Sequence, residues 1–329
     1  MKPFPALRRL ALLALAAALT ARPVRAQEFG ADTPLNLPTP PGVRIFPDLA
    51  YEDQGGPQHR LDLYLPFPIP AKPIPLIVFL HGGGWEKGSK VDGRGFAFRM
   101  VARGYAVACP NFRPSSAAPF PAQLEDCKSA VRWLRDSAVR YRLDAAHIGA
   151  VGVSSGGHLA ALLGTTGSNH LFDSLGHMGA PSGVQAVGVF FGPIDLARLH
   201  ETAQGSRTPL AEEIEKLLGG NPRVQLQQAE QANPVTHLKG DEPPFLLVHG
   251  TADTVVPPAQ SRLLYDALAK QRIPVHLHLI HGAGHTGPAF VAPEINAMVD
   301  EFFSRWLKPV PRPFETVTAV ITESTARKN

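Results

Sequence analysis

The chain has one stretch where polar and apolar residues alternate and several that are apolar throughout. Residues 60–65 alternate, which is typical of an antiparallel strand with one face towards water, and a further early strand is predicted over 43–51. Continuous apolar runs predict strands that are buried on both faces, as in parallel sheets. Such strands are predicted at residues 76–80, 105–109, 148–153, 186–191 and 245–248, and one more strand is predicted at 275–280.

Between these strands, apolar residues recur at spacings of three and four, which places them on one face of a helix. The pattern is present in residues 121–139, 263–268 and 298–306. Alternating strands and helices predict an α/β fold with a mostly parallel sheet covered by helices on both faces. Two stretches interrupt the alternation, 165–183 and 196–243, and they predict a small inserted cap.

The first 26 residues predict a secretory signal peptide. A basic start precedes an apolar run over 10–19, which is too short to cross a bilayer as a helix, although an uncleaved anchor stays an alternative. We therefore expect a secreted protein, periplasmic or extracellular, with no stable membrane insertion after signal cleavage. Its expected parts are an extended lead-in over 27–42, one folded domain over 43–308 and a loosely attached tail over 309–329.

Cleavage would change the charge of the chain. The whole sequence has a formal net charge of +4, but residues 1–26 contain five Lys and Arg and no Asp or Glu, so the mature chain carries −1. The positive balance belongs to the predicted export signal and does not indicate a nucleic-acid partner. The sequence leaves the oligomeric state open.

The sequence contains two cysteines, Cys109 in a predicted strand and Cys127 on the apolar face of a predicted helix. Export permits a disulfide, but two cysteines in 329 residues make no disulfide framework. A bond between them stays an alternative, and two buried thiols are favoured.

The most specific motif is G-V-S-S-G-G at 152–157, which follows a predicted strand and precedes an apolar helical run over 158–163. A sharp strand-to-helix turn lifts a serine hydroxyl clear of the sheet, and the glycines around it avoid clashes. The helix N-terminus favours developing negative charge. Ser154 is therefore the candidate nucleophile, and an ordinary glycine-rich turn is the alternative.

A second motif, H-G-G-G-W at 81–85, directly follows another predicted strand. Such a loop can aim backbone N–H groups at a developing oxyanion. The candidate donors are the N–H groups of Gly83, Gly84 and Ser155. His81 is expected to brace the loop rather than to act as the base.

A serine nucleophile needs a base and an acid that orients the base. His285 lies in a loop after the last predicted strand, and Asp253 lies just past the strand at 245–248, which gives the chain order Ser, Asp, His. His281 is the rival base. Asp195 follows another strand and is either a rival acid or a helix-capping residue.

His276 and His278 alternate along one face of a predicted strand and could in principle bind a metal. No further cluster of ligands accompanies them in the sequence. We therefore expect no metal and no cofactor.

These motifs resemble the α/β-hydrolase esterases related to hormone-sensitive lipase, and more closely the branch of secreted bacterial carbohydrate-ester esterases that includes feruloyl and acetylxylan esterases. The resemblance covers about residues 43 to 307. It implies an α/β-hydrolase fold with an eight-stranded, mostly parallel sheet, an Asp-His-Ser triad and no cofactor. The segments that carry it are 60–64, 81–85, 120–126, 152–157, 249–253 and the loop ending at His285.

Two positions depart from the hormone-sensitive-lipase pattern, which usually has Asp before the nucleophile and Ala after it. This sequence has Val153 and Ser155 there. The departure favours the carbohydrate-esterase branch and leaves the substrate open, because fold-level analogy does not identify it.

We therefore expect a serine carboxylic-ester hydrolase that acts through an acyl-enzyme on feruloyl, acetyl or other small aryl or alkyl esters, either small molecules or carbohydrate esters. The candidate substrate-contacting residues are His81, Gly82, Trp85, Phe112 and Arg113. For Trp85, anchoring of the loop is the alternative.

Two other functions stay open. One is a peptidase of the prolyl-oligopeptidase type, but such enzymes usually carry a large propeller, and the 16 residues between the predicted cleavage site and the first strand leave no room for one. The other is a catalytically inert hydrolase-fold protein used for binding. Such proteins often lack a triad member, and all three candidates are present here.

Overall fold

The computed structural model describes residues 37–53, 55–168, 170–203, 209–308 and 319–326. The predicted signal peptide lies outside these residues. Within them, nine strands form one sheet. The strands are β1 (Val43–Ala50), β2 (Arg60–Pro66), β3 (Ile74–Leu80), β4 (Ala106–Pro110), β5 (Leu143–Val153), β6 (Ala186–Phe190), β7 (Phe245–Gly250), β8 (Val275–His281) and β9 (Val320–Thr325).

The strand order is β1-β2-β4-β3-β5-β6-β7-β8-β9. β2 pairs antiparallel with both β1 and β4, and every later pair is parallel. The mostly parallel sheet predicted from the apolar runs is confirmed, and β5 occupies its centre. The carboxyl ends of β3, β5, β7 and β8 therefore point to one edge, where loops that follow them can meet.

Nine α-helices occur in the described residues. They are α1 (Arg94–Val101), α2 (Ala122–Asp136), α3 (Ala138–Tyr141), α4 (Ser155–Thr166), α5 (Leu196–Ala203), α6 (Leu210–Leu218), α7 (Leu226–Gln231), α8 (Ala259–Lys270) and α9 (Pro293–Leu307). Short 3₁₀ turns lie at Pro57–His59, Lys90–Gly93, Pro234–His237 and Pro288–Val291.

The sheet separates two hydrophobic clusters because successive side chains of a strand point to opposite faces. In β3, Leu76 and Val78 pack with residues of α2, α4 and α8, whereas Ile77 and Phe79 pack with residues of α1 and α9. Both faces of the sheet are thus covered, as the sequence pattern predicts. No helix of the described part of the chain is long and apolar enough to cross a membrane.

The expectation of eight strands and a loosely attached tail is corrected at the C-terminal side. Residues Val320–Thr325 form β9, which pairs in parallel with β8 from Val320 opposite His276 to Thr325 opposite His281. The segment has no apolar periodicity because it is an edge strand, with all six of its side chains exposed or half-buried. Its β-branched residues favour an extended backbone without requiring burial.

The insertion between β6 and β7 contains α5, α6 and α7. The apolar face of α6, with Leu210, Ile214 and Leu217, joins the same hydrophobic cluster as α2 and α4. This packing fixes α6 against the body of the protein, close to the loop that follows β3.

Both cysteines are free and buried, so the favoured alternative of two thiols is confirmed. Cys109 on β4 packs in the cluster with α1 and α9, and Cys127 on α2 packs in the cluster on the other side of the sheet.

Candidate active site

Ser154 lies at a sharp turn between β5 and α4. Its backbone has φ 52° and ψ −124°, a conformation that L-residues rarely adopt, and its N–H donates to Phe190 O at 2.9 Å. Side chains beside it are excluded, since a Cβ on Gly152 would lie 2.0 Å from Gly156 O and one on Gly156 would lie 2.2 Å from Leu80 O. The G-x-S-x-G spacing is therefore a steric requirement of this turn.

Three of the predicted side chains come together in a hydrogen-bonded chain. Ser154 Oγ lies 3.0 Å from His285 Nε2, and His285 Nδ1 lies 2.7 Å from Asp253 Oδ2. Asp253 follows β7 and His285 follows β8, so the parallel sheet brings them to the edge where β5 ends. With Nδ1–H donating to the carboxylate, Nε2 is free to accept the hydroxyl proton of Ser154.

The carboxylate of Asp253 is buried and well supplied with donors. Its Oδ1 accepts from the N–H groups of Val255 and Val256, both at 2.9 Å. Burial by itself would raise the pKa of Asp253, but hydrogen bonds and charge interactions with His249 and His285 outweigh it and lower the pKa to about 2. Asp253 is thus held in its ionised form.

His249, at the end of β7, supports this acid and was not singled out from the sequence. Its Nε2 lies 2.8 Å from Val256 O and 3.2 Å from Asp253 Oδ2, and its Nδ1 lies 2.7 Å from Ser261 Oγ. The shorter contact with Val256 O is its main hydrogen bond. The fully buried ring thereby ties the Asp253 loop to α8.

The loop after β3 borders the nucleophile turn. Gly83 has φ 114° and Gly84 has φ 62°, and a Cβ on Gly83 would lie 2.4 Å from Lys87 O. A Cβ on Gly82 would lie 3.4 Å from Ser154 Cβ, which places this loop directly beside the serine. Among the described residues, no backbone acceptor is present for the N–H groups of Gly83 and Gly84.

Ser155 is the first residue of α4, where a backbone N–H has no partner within the helix. Together with the two loop glycines it can present N–H groups to an oxygen that gains negative charge at Ser154. The Oγ of Ser155 is buried and has no hydrogen-bond partner among the residues described.

Three predicted substrate-contacting side chains support the loop after β3. Trp85 is 1% exposed, and its Nε1–H donates to His158 Nδ1 at 3.2 Å. His81 stacks on Phe112 with ring centroids 4.2 Å apart, and its Nδ1 lies 2.8 Å from Gly82 O. All three are almost completely buried, and all three line a cavity beside this loop, so their contact with substrate stays a prediction.

Arg113 is likewise engaged within the protein. Its Nε lies 2.9 Å from Asp126 Oδ1, and its guanidinium also reaches Glu125 Oε2 and Ala122 O, both at 3.1 Å. The side chain of Asp126 is fully buried and needs this partner. Arg113 therefore compensates a buried charge, and its contact with substrate stays a prediction.

The rival triad members make other contacts. His281 Nδ1 lies 3.1 Å from Thr251 Oγ1, and Asp195 Oδ1 accepts from Arg198 N at 3.0 Å, as a residue that caps the start of α5 does. His276 and His278 both bond to the hydroxyl of Thr322 on β9. Within the described ranges, no group of three or more metal-ligating side chains is present.

A further charged group near the site is Glu213 on α6. A Cβ on Gly84 would lie 2.4 Å from its carboxyl carbon, so the carboxylate lies against the loop after β3. Burial raises the pKa of Glu213, and the charges of Lys87, Lys216 and His285 act in the opposite direction. Little in the sequence marks it, because a glutamate within an amphipathic helix usually faces solvent.

This sheet, with its turn at Ser154 and a glycine-rich loop beside it, defines a protein of the α/β-hydrolase class. The chain belongs to the BD-FAE family, whose model matches residues 61–268. The resemblance to esterases related to hormone-sensitive lipase is thereby confirmed.

Relatives with known names are similar over most of this chain. It is 28% identical to Esterase LipC of Mycobacterium tuberculosis over 70% of its length and 31% identical to Probable carboxylic ester hydrolase LipM of the same organism over 67%. The aligned part covers 57% and 51% of those two proteins, so the chain spans about half of their length.

Solved structures agree with the fold. A bifunctional GH43-CE protein of Bacteroides eggerthii is 33% identical with a TM-score of 0.71, covering 79% of this chain and 38% of that one. A truncated carbohydrate esterase from gut microbiota is 29% identical, also with a TM-score of 0.71, covering 80% of this chain and 95% of that one.

Proposed function

We propose that this protein is a serine carboxylic-ester hydrolase. The observation that carries the proposal is the hydrogen-bonded chain from Ser154 Oγ through His285 to Asp253, beside backbone N–H groups that lack acceptors in the described structure. The names of the two mycobacterial relatives and of the truncated carbohydrate esterase support the same reaction class.

The proposed reaction has two acyl-transfer steps. In the first, His285 Nε2 takes the proton of Ser154 Oγ as that oxygen bonds to the ester carbonyl carbon, and the carbonyl oxygen becomes an oxyanion. Collapse of this tetrahedral intermediate breaks the bond to the alcohol, which leaves with the proton from His285. In the second step, water attacks the acyl-enzyme with the same proton transfers, which releases the acid and restores Ser154.

The environment fits the charges of this reaction. The ionised Asp253 stabilises the imidazolium that forms on His285 and fixes its Nδ1–H tautomer. The N–H groups of Gly83, Gly84 and Ser155 point their dipoles at the developing oxyanion, where a lost donor costs about 10²–10³ in rate. The turn at Ser154 holds the hydroxyl at the N-terminus of α4, where negative charge is also favoured.

As substrates we propose feruloyl, acetyl or other small aryl and alkyl esters, including those of carbohydrates. Two structural neighbours, a GH43-CE protein and a carbohydrate esterase, support this class.

The test is kcat/KM of the mature protein on methyl ferulate and p-nitrophenyl acetate, with Ser154→Ala as the blank. Activity on both that is lost in the variant supports an aryl-accepting esterase. Activity on the acetate alone restricts the proposal to acetyl and small alkyl esters.

Labelling of Ser154 with a fluorophosphonate probe separates the enzyme from an inert binding protein. Absence of both labelling and Ser154-dependent turnover would overturn the proposal.

We further propose that the protein is exported with cleavage after residue 26. The basic start and the short apolar run that follows it support this. Amino-terminal sequencing of the protein recovered from periplasm and medium tests it, and recovery of the uncleaved chain in the membrane fraction would contradict it.

A further inference from the structure

Helix α6 of the insertion lies across the loop that follows β3. Lys216 Nζ lies 2.9 Å from Glu86 Oε2 on that loop, and Phe120 N–H donates to Leu217 O at 2.7 Å on the other flank of the helix. The apolar face of α6 is buried as described above. These contacts fix the position of the helix, and with it the side chains that it directs at the site.

Glu213 is the side chain that α6 directs at the loop. Both oxygens of its carboxylate lie within 2.6 Å of the position that a Cβ on Gly84 would take, so they touch the backbone of a candidate oxyanion donor. Glycine is favoured at this position by its backbone φ of 62°, and any side chain there would have to displace the Glu213 carboxylate.

The carboxylate of Glu213 has no hydrogen-bond or ion-pair partner among the residues that the structure describes. It is half-buried, and desolvation raises its pKa. Because it is half-buried rather than enclosed, the carboxylate can accept a hydrogen bond from a molecule bound at the site.

Glu213 lies against the loop beside Ser154, and the charge of His285 acts on its carboxylate. In the proposed mechanism, His285 gives its proton to the departing alcohol. A carboxylate that touches Gly84, and whose pKa responds to the charge of His285, lies near the group that delivers this proton.

A negative charge so close to a developing oxyanion disfavours the transition state of an ester whose alcohol part has no hydrogen-bond donor for the carboxylate. An alcohol part with a hydroxyl group changes this, because O–H donation to the carboxylate satisfies it and disperses its charge. The same glutamate thus opposes plain alkyl esters and favours hydroxylated ones.

We infer that Glu213 is a specificity-determining residue that selects esters whose alcohol part carries a free hydroxyl, as in polyols and sugars, by accepting a hydrogen bond from it. This inference rests on the proposed ester hydrolysis. It assigns to helix α6 of the insertion one defined chemical task, recognition of a hydroxyl donor on the leaving alcohol.

Two pairs of acetates that differ only by a hydroxyl in place of a methyl test the inference. They are 2-hydroxyethyl against propyl acetate, and 3-hydroxypropyl against butyl acetate. In the wild-type protein we expect the kcat/KM ratio of at least one pair to favour the hydroxylated ester by about tenfold, the size of one hydrogen bond to a charged group.

Three variants of α6 complete the test. Glu213→Gln keeps size and an acceptor oxygen but removes the charge, so the ratio falls several-fold and turnover of propyl acetate rises. Glu213→Met removes the acceptor, so the ratio falls to about one. Glu212→Gln is the control, because this exposed neighbour loses the same charge on the same helix and leaves both ratios unchanged.

The result that overturns the inference is a wild-type ratio near or below one for both pairs, or a ratio that Glu213→Gln and Glu213→Met both leave within twofold of wild type. Turnover of p-nitrophenyl acetate that is lost in Ser154→Ala is measured alongside. If that activity is present and the ratios do not respond, the inference fails and the esterase stands; if it is absent, the proposed function itself fails.

Discussion

Trp85 donates its indole N–H to His158 Nδ1 across 3.2 Å, and this hydrogen bond joins the loop after β3 to α4, the helix that begins at Ser155. His158 in turn lies 2.7 Å from Ala232 O through Nε2, and complete burial lowers its pKa to about 4. The ring is therefore neutral, with one nitrogen accepting and the other donating. The loop glycines and the serine turn are held together through this pair.

Replacing Trp85 with Phe removes that donor and leaves a buried nitrogen of His158 unsatisfied. We expect the free energy of unfolding to fall by about 1–3 kcal/mol. We also expect kcat on p-nitrophenyl acetate to fall about tenfold, because small displacements of positioned groups are costly. Urea denaturation and steady-state kinetics check this. Trp133→Phe, at a half-buried position on α2, is the control. Equal effects of the two substitutions would contradict the role of the Trp85–His158 hydrogen bond in holding the loop to α4.

Gly83→Ala tests whether the loop tolerates a side chain. Its Cβ would lie 2.4 Å from the backbone oxygen of Lys87, so the loop must shift and a donor is displaced. We expect kcat/KM to fall by about 10²-fold or more.

Gly104→Ala separates this steric effect from the cost of a left-handed backbone. Gly104 has φ 82° and nothing within 4 Å of its Cβ position, so this variant costs about 1–2 kcal/mol of stability and leaves kcat/KM unchanged. Similar kcat/KM values for the two variants would show that the clash at Gly83 does not disturb the active site.

Asp253 makes stability depend on acid pH. Its pKa is about 2 in the folded state against an ordinary 3.8, so it stabilises the fold above pH 4, and this stabilisation is lost as pH falls through 2. The shift corresponds to about 2 kcal/mol. In urea titrations, the gap between wild type and Asp253→Asn should narrow by that amount from pH 5 to pH 2. Asp266→Asn, at an exposed position on α8, should show no such narrowing.

Arg113 can be tested as a structural residue. Arg113→Met leaves the buried carboxylate of Asp126 with His59 as its remaining side-chain partner, at 3.1 Å. We expect a loss of about 3 kcal/mol in the free energy of unfolding with KM unchanged within twofold. Arg262→Met, on the exposed face of α8, should change neither. A tenfold rise in KM at unchanged stability would instead support the predicted contact with substrate.

The elements that could be predicted from the sequence are those set by local sterics and by the topology of a parallel sheet. Gly152 and Gly156 are required by backbone contacts of the turn around Ser154, so the motif itself carries the geometry. The carboxyl ends of β5, β7 and β8 meet at one edge, which is why side chains about 30 and 100 residues apart converge there.

The remaining features depend on partners that the sequence does not mark. Arg113 follows a strand, as a substrate-contacting residue would. Its partner Asp126 lies on α2, so the contact between them depends on how that helix packs and is not marked in the sequence. Glu213 lies within an amphipathic helix and is expected from the sequence to face solvent. Only the packing of α6 brings it against Gly84. β9 escaped prediction because an exposed edge strand needs hydrogen bonds to β8 more than it needs apolar residues.

The two cysteines have a consequence for how the chain can mature. Since Cys109 and Cys127 occupy hydrophobic clusters on opposite faces of the sheet, no oxidant has to act for the native state to form. Burial raises the pKa of both thiols, which keeps them protonated and unreactive. The same native structure is therefore reachable in a reducing and in an oxidising compartment, and recombinant protein made in either should have the same thermal stability, with or without added reductant.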